Sequence, residues 1–144
     1  MNQTRARAHD EARTGTTPAA MLLSARDIDA MPGTTKVHAF NRSGVRLDKS
    51  LGYAAGMQRL GAHLVSVMPG YFSSEFHHHH FAEECVYVLA GEGRAHIGER
   101  VVALAPGDFV GYPANGVAHA IEATGSGLLV CLVVGERLAQ DVID

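Results

Sequence analysis

Residues 76–91 read FHHHHFAEECVYVLAG, four consecutive histidines followed by an acidic pair and an apolar run. Such a histidine run is unusual as packing, and it lies inside the chain rather than at a terminus where a purification tag would stand. On a β-strand the side chains alternate, so His77 and His79 share one face while His78 and His80 share the other. Two same-face imidazoles lie roughly 7 Å apart along the strand, close enough to converge on one ion.

Two further residues complete a candidate metal site. Glu84 begins the next predicted strand, and the intervening turn can fold it back over the histidine pair. His119 opens another strand after a turn that can aim it inward. Three neutral imidazoles and one carboxylate suit Mn, Fe, Co, Ni, Cu or Zn rather than Ca or Mg. We predict one divalent transition metal per chain, bound by His77, His79, Glu84 and His119. The alternatives are a surface chelating patch for the histidine run and a structural role for His119.

The chain beyond Pro32 alternates short apolar runs with Gly, Pro and Asn breaks, which predicts an all-β antiparallel sandwich or barrel. Residues 1–35 are expected to form a flexible N-terminal tail, with a short helix where Ser24-Ala-Arg-Asp27 matches a capping box. Residues 36–144 are expected to form the β-barrel domain, and 144 residues suffice for one core. The predicted strands are Lys36–Phe40, Val45–Leu47, Ala62–Met68, Tyr71–His79, Cys85–Ala90, Arg94–Ile97, Val101–Leu104, Asp108–Tyr112, His119–Ala123 and Leu128–Val134.

Net charge and the lengths of apolar runs indicate which kinds of partner the protein can have. The net charge of -3 argues against nucleic acid, and the longest apolar run, Leu128–Val134, is too short to span a membrane. Cys85 and Cys131 make no disulfide framework, and the N-terminus lacks the apolar stretch of a secretory signal, so we expect reduced thiols and a cytoplasmic location. Because Leu128–Val134 is apolar on both strand faces, it needs a second cover. A partner subunit would supply it, so the sequence predicts a homodimer.

Two ordered motifs resemble those of the cupin superfamily. The first is His77-x-His79-x4-Glu84-x6-Gly91. The second combines Pro106-Gly107-Asp108, Tyr112-Pro113-Ala114 and Gly116-x-x-His119. The similarity extends over the flanking sequence. The chain resembles small single-domain bacterial metal-binding cupins, some of them labelled sugar phosphate isomerases. This resemblance implies a double-stranded β-helix, or jelly-roll, barrel with the metal site inside.

The motifs depart from the family pattern in one place and allow a second alignment. An Asn usually follows the histidine of the second motif, whereas Glu122 or Ala123 stands there; this Asn is not a metal ligand. The spacing His78-x-His80-x3-Glu84 also satisfies the first motif. The apolar Phe76 before the first ligand favours His77 and His79.

The sequence is compatible with two classes of function, an enzyme and a binding module. A metal-dependent enzyme, an oxygenase or an isomerase, would act on a small polar metabolite; a non-catalytic module would bind a metal and a small ligand. On a regular strand Glu75 shares the face of His77 and can serve as a catalytic acid or base, but a bulge would place it on the surface. His63 can project into the barrel or be a hydrogen-bonded core or surface histidine. Lysine occurs only at Lys36 and Lys49, and Arg59, Arg94 and Arg100 have no clear inward assignment, which disfavours phosphorylated substrates.

Overall fold

The computed structural model describes residues 21–39, 41–139 and 143. Residues 1–20 of the expected tail lie outside the described residues. The predicted capping box is confirmed at helix α1 (Ala25–Ala30), where the Ser24 hydroxyl accepts from the Asp27 backbone N–H and the Asp27 carboxylate accepts from that of Ser24. Lys49 Nζ donates to the Ile28 carbonyl at 2.8 Å and ties this helix to the barrel.

Strands dominate the described part of the chain and confirm the all-β prediction. They form two antiparallel sheets, one ordered β1-β2-β3-β9-β4-β7 and the other β6-β5-β8. One further short helix, α2 (Leu51–Ala54), connects β2 to β3. The strand bounds are β1 (Thr34–His38), β2 (Asn41–Ser50), β3 (Leu60–Val67), β4 (Glu84–Ala90), β5 (Gly93–Ile97), β6 (Arg100–Leu104), β7 (Phe109–Tyr112), β8 (His119–Ala123) and β9 (Leu129–Glu136). No helix among the described residues is long and apolar enough to cross a membrane.

The core fills the space between the sheets and follows the strand alternation. On β4, Val86 and Val88 are buried, whereas Tyr87 and Leu89 between and beyond them are 43% and 47% exposed. This is the pattern of a strand with one face on a core. The buried cluster consists of Val65, Val67, Val86, Val88, Ala95, Leu104, Tyr112, Ile121, Ala123, Leu129 and Cys131.

The predicted strand Tyr71–His79 is wrong as a continuous strand. This segment makes only isolated bridges, with Phe72 joining Gly44 of one sheet to Glu122 of the other, and His77 pairing with His119. The Ser73 N–H bonds to the Ile121 carbonyl. Four residue steps from Ser73 to His77 therefore face two steps on β8, which is a bulge of two extra residues. A segment that crosses between sheets cannot keep one ladder throughout.

A glycine is required where β4 turns into β5. Gly91 has φ +83°, and an added Cβ would collide with the Leu128 carbonyl oxygen at the start of β9. Only a residue without a side chain permits this close approach. The turn glycine of the first motif thus brings β4 back to β5 beside β9.

Candidate metal centre

A cavity of about 390 Å³ lies between the two sheets. Its two ends differ in chemistry. We call the end lined by the four predicted ligands the metal end. The opposite end, which we call the basic end, is lined from β1, β2 and β3 by Lys36, His38, Arg46, Asp48 and His63.

The four predicted ligands converge at the metal end. His77 and His79 come from the bulged segment between β3 and β4, Glu84 is the first residue of β4, and His119 is the first of β8. The backbones of His77 and His119 exchange two N–H to carbonyl bonds of 3.1 and 2.8 Å, which sets these side chains beside each other. The ring centroid of His77 lies 4.8 Å from that of His119 and 5.1 Å from that of His79.

The histidine rings face the Glu84 carboxylate from two sides. His79 Nε2 lies 3.8 Å from one carboxylate oxygen and His119 Nε2 lies 3.9 Å from the other. Two atoms bound at about 2.1 Å to one ion lie about 3.0 to 3.4 Å apart at octahedral to tetrahedral angles. Across residues 21–39, 41–139 and 143, no three His, Cys, Asp or Glu side chains already lie at metal-coordinating distances from a common point. Binding an ion therefore requires the site to close by roughly half an ångström.

The second ring nitrogens are held by backbone carbonyls. His77 Nδ1 lies 2.7 Å from the Glu75 carbonyl oxygen and His119 Nδ1 lies 3.2 Å from that of Val117. Such contacts fix the tautomer and leave Nε2 with its lone pair toward the cavity. Within the described chain His119 Nε2 is buried and has no hydrogen-bond partner. A buried acceptor without a partner is costly, and a metal ion would satisfy it, so the four residues fit a metal.

Charge states at this end also suit a metal. Burial lowers the pKa of His77, with neighbouring His119 and His79 acting the same way, so its ring is neutral at pH 7. Burial acts to raise the pKa of Glu84, but the neighbouring imidazoles of His119, His79 and His77 lower it overall. Neutral imidazoles and an ionised carboxylate are the forms that bind metal ions.

Tyr112 forms the wall behind His119. The two rings stack with centroids 3.5 Å apart and planes 6° from parallel. The Tyr112 hydroxyl is buried without a partner in the described chain. Burial and the charge of Glu84 raise the pKa of Tyr112, so its hydroxyl stays protonated. The ring fixes the orientation of His119, and the motif order placed Tyr112 near the site without predicting this stack.

The structure separates the two possible histidine pairs. His77 and His79 line the cavity, whereas His78 and His80 do not and instead pack together with ring centroids 4.6 Å apart. The bulge ends before His77, so the alternation inferred for the histidine run holds locally. The preferred alignment therefore matches the side chains that reach the cavity.

Glu75 lies within the bulge and still lines the cavity, partly buried. The regular strand assumed for its parity is absent, and the bulge does not carry it to the surface. Its carbonyl oxygen accepts from Ser74 Oγ at 2.9 Å and contacts His77 Nδ1. Its position thus depends on the same backbone turn that orients a predicted ligand.

The basic end contradicts the expectation that the cavity lacks cations. Lys36 Nζ lies 3.2 Å from one Asp48 carboxylate oxygen and Arg46 Nε lies 3.4 Å from the same oxygen. His63 Nδ1 contacts the other oxygen at 2.7 Å. Burial acts to raise the pKa of Asp48, but the His63 hydrogen bond and the charges of His63 and Lys36 lower it to about 2. Sequence reasoning missed Lys36, Arg46 and Asp48. Alternation along β2 puts Arg46 and Asp48 on one face but does not show that this face is internal.

Fold and site together define a small antiparallel β-barrel protein with three histidines and a glutamate converging in its interior. A family model described as "Cupin domain" matches residues 63–135. The chain belongs to the cupin family. The jelly-roll prediction is therefore confirmed, and the paired sheets are its two halves.

Solved structures of other proteins also resemble this chain. A protein of Acidithiobacillus ferrooxidans, provisionally named a sugar phosphate isomerase, is 47% identical with a TM-score of 0.87, over 89% of this chain and 82% of that one. A cupin-superfamily sugar phosphate isomerase of Silicibacter pomeroyi is 27% identical with a TM-score of 0.73, over 81% and 78% of the two chains. A predicted oxalate decarboxylase of Thermotoga maritima is 26% identical with a TM-score of 0.59, over 74% and 95%. No curated protein matches the chain.

Proposed function

We propose that this cupin is a metal-dependent isomerase of a small polar hydroxy-carbonyl metabolite. The observation that carries the proposal is the buried Nε2 of His119, unpartnered in the described chain and directed at Glu84 inside a cavity of metabolite size. The names of the similar A. ferrooxidans and S. pomeroyi proteins support isomerisation over oxygenation.

His77, His79, Glu84 and His119 would hold one divalent transition metal through three nitrogens and one carboxylate oxygen. A metal ion in such a site polarises a bound carbonyl or hydroxyl oxygen and acidifies the adjacent C–H bond. The chain contributes by fixing the ring orientations through the Glu75 and Val117 carbonyls. Apolar walls formed by Val86, Ile121 and Leu129 restrict water around the bound molecule.

Glu75 is the proposed proton carrier. Isomerisation removes a proton from the carbon that bears a hydroxyl and returns one to the neighbouring carbonyl carbon, while the hydroxyl proton moves between the two oxygens. The step is an internal redistribution, balanced without any co-reactant. A single carboxylate that faces the substrate can take and return the carbon-bound proton. Glu75 meets this requirement because it lines the cavity beside His77.

Solvent-proton exchange tests the proposed activity. Aldoses and their phosphates incubated with the metal-containing protein in D2O should incorporate deuterium at the carbon next to the carbonyl, as followed by NMR. Glu75→Gln should slow this exchange by about 10²-fold or more. Glu99→Gln, which alters an exposed turn between β5 and β6, serves as the matched control and should not change the rate.

Three results would contradict the proposal. Substrate-dependent oxygen uptake would indicate an oxygenase. Thermal stabilisation by a ligand without exchange or turnover would indicate the binding module considered as the alternative. Exchange that survives Glu75→Gln unchanged would remove Glu75 from the reaction.

We also propose that the protein is a homodimer located in the cytoplasm. The outer face of β4 and β7 exposes Tyr87, Leu89 and Phe109, the last at 65%, beside the partly buried outer residues of β9. A second copy covering this face would bury a continuous apolar area. Light scattering should give about twice the chain mass of 15.3 kDa, and the monomer mass would contradict the dimer. The unpaired Cys85 and Cys131 agree with a reducing compartment.

A further inference from the structure

The basic end of the cavity is a second binding surface, separate from the metal ligands. We propose that Lys36 and Arg46 bind the phosphate group of the molecule that the metal end holds. The link to the metal end rests on the proposed function, whereas the anion site itself does not.

The charge balance at this end favours an anion. Within the ion-paired group around Asp48, two permanent cations, Lys36 and Arg46, meet one carboxylate, so this group carries one positive charge in excess. Asp48 is only 4% exposed, and Lys36, Arg46 and His63 all point to it. The carboxylate therefore holds the basic side chains in place and does not neutralise them completely.

The donors remain available to a ligand. Among the described residues Lys36 Nζ has one ion-pair partner, Asp48, although an ammonium group carries three N–H donors. The Lys36 side chain is 45% exposed, in contrast to 3% for that of Asp48. Arg46 Nη1 donates to the Ser73 carbonyl at 2.8 Å. This bond anchors the guanidinium against the segment that carries the metal ligands, beside the cavity.

The order and register of the strands in the large sheet set the distance between Arg46 at the basic end and Glu84 at the metal end. β2, which carries Arg46, is separated from β4, which carries Glu84, by β3 and β9. Three interstrand spacings amount to roughly 14 Å across the sheet, and the strand registers place Arg46 about six residues, or roughly 20 Å, along the strands from the level of Glu84. The gap between the polar ends of the side chains is much shorter, because the Arg46 guanidinium reaches the Ser73 carbonyl. Ser73 bonds to Ile121, which lies two residues, or about 7 Å, along β8 from His119. A small metabolite with a charged group at one end and a hydroxy-carbonyl pair at the other can span it.

Phosphate fits this end better than carboxylate. A phosphate monoester carries close to two negative charges at neutral pH and three acceptor oxygens. Lys36 and Arg46 offer charged donors, and His38 and His63 line the same end with ring N–H groups. A carboxylate has one charge and two oxygens and would leave more of these donors unused. The competing explanation is that the cations serve only to hold Asp48.

Calorimetric titration of the purified full-length protein with inorganic phosphate, in chloride buffer of constant ionic strength, tests the site. We expect saturable phosphate binding that is weakened about tenfold or more by Lys36→Gln, since a charge-assisted contact is lost. Lys49→Gln is the matched control, because the only other lysine of the chain bonds to Ile28 outside the cavity. Arg46→Lys keeps the charge and should weaken binding less than Arg46→Gln. Far-UV circular dichroism and melting temperature verify folding.

The outcomes separate this inference from the proposed function. Phosphate binding that is unchanged in Lys36→Gln would show that the cations only hold Asp48 and would overturn the inference. Acetate binding as tightly as phosphate would overturn the assignment to phosphate. Loss of binding in His119→Ala but not in Lys36→Gln would place phosphate at the metal end, also against the inference. If binding follows Lys36 in protein that takes up no metal, the anion site stands and the proposed function fails.

Discussion

Replacing His119 with alanine should reduce the metal content of the purified protein from about one ion per chain to about a tenth of that or less. The side chain supplies one of the four proposed donors, and its Nε2 is the buried atom left without a hydrogen-bond partner in the described chain. Loss of one ligand leaves two imidazoles and a carboxylate, and we expect the affinity to fall by about 10²-fold or more. Elemental analysis and competition with a chromophoric chelator measure both quantities.

Two alanine variants control this experiment. His96→Ala removes a histidine that bonds to Glu122 at 2.9 Å outside the cavity, and it should keep the metal. His78→Ala should also keep it, because His78 packs on His80 and does not line the cavity. Since His119 is buried against Tyr112, its removal also leaves a hole in the core, so the folded fraction of each variant has to be measured. A folded His119→Ala protein with undiminished metal would contradict the site.

Replacing Asp48 with asparagine should lower the free energy of unfolding at pH 7 by about 2 kcal/mol. The carboxylate accepts from His63 and pairs with Lys36 and Arg46. A pKa of about 2 instead of 3.8 means that the folded state favours the ionised form by this amount. Asparagine keeps the shape but removes the charge, leaving two cations close together. Chemical denaturation of both proteins gives the difference.

The sign of the pH dependence follows from the lowered pKa of Asp48. The stabilisation is complete above the unfolded pKa of 3.8 and disappears as the pH falls through the folded value of about 2. The difference between wild-type and Asp48→Asn proteins should therefore shrink from about pH 4 downward, reach a small fraction of its full size near pH 2 and vanish below that pH. A difference that stays constant from pH 7 to pH 2 would show that the carboxylate charge does not stabilise the fold.

The metal end could be predicted from sequence because its determinants are local. Strand alternation puts His77 and His79 on one side whatever the surrounding fold. The motif spacing supplies Glu84 and His119, and short apolar runs between turn residues mark the strands. These signals predict which side chains meet, and the structure brings all four together.

The sequence left open whether a bulge lies between Ser73 and His77, because tertiary structure decides between a bulge and a regular strand. The segment has to bridge both sheets, so it follows the spacing between them rather than one ladder. The regular strand that would put Glu75 on the face of His77 is therefore absent, although the residue still reaches the cavity.

The basic end was missed for a different physical reason. In β2 the apolar Val45 and Leu47 alternate with Arg46 and Asp48, and a core is normally expected on the apolar side. Here Arg46 and Asp48 line the cavity instead. A strand that lines a polar cavity reverses the usual pattern. Only the pairing of β2 with β3, which places Asp48 beside Val65 and Ser50 beside His63, shows which face is internal.

Anomalous X-ray diffraction from crystals of untagged protein, grown without added metal, would examine the interior of the barrel directly. We expect one strong peak per chain, about 2.0–2.3 Å from Nε2 of His77, His79 and His119 and from a carboxylate oxygen of Glu84. A peak on His78 and His80, or four side chains that diverge with no shared peak after metal is supplied, would contradict the metal centre.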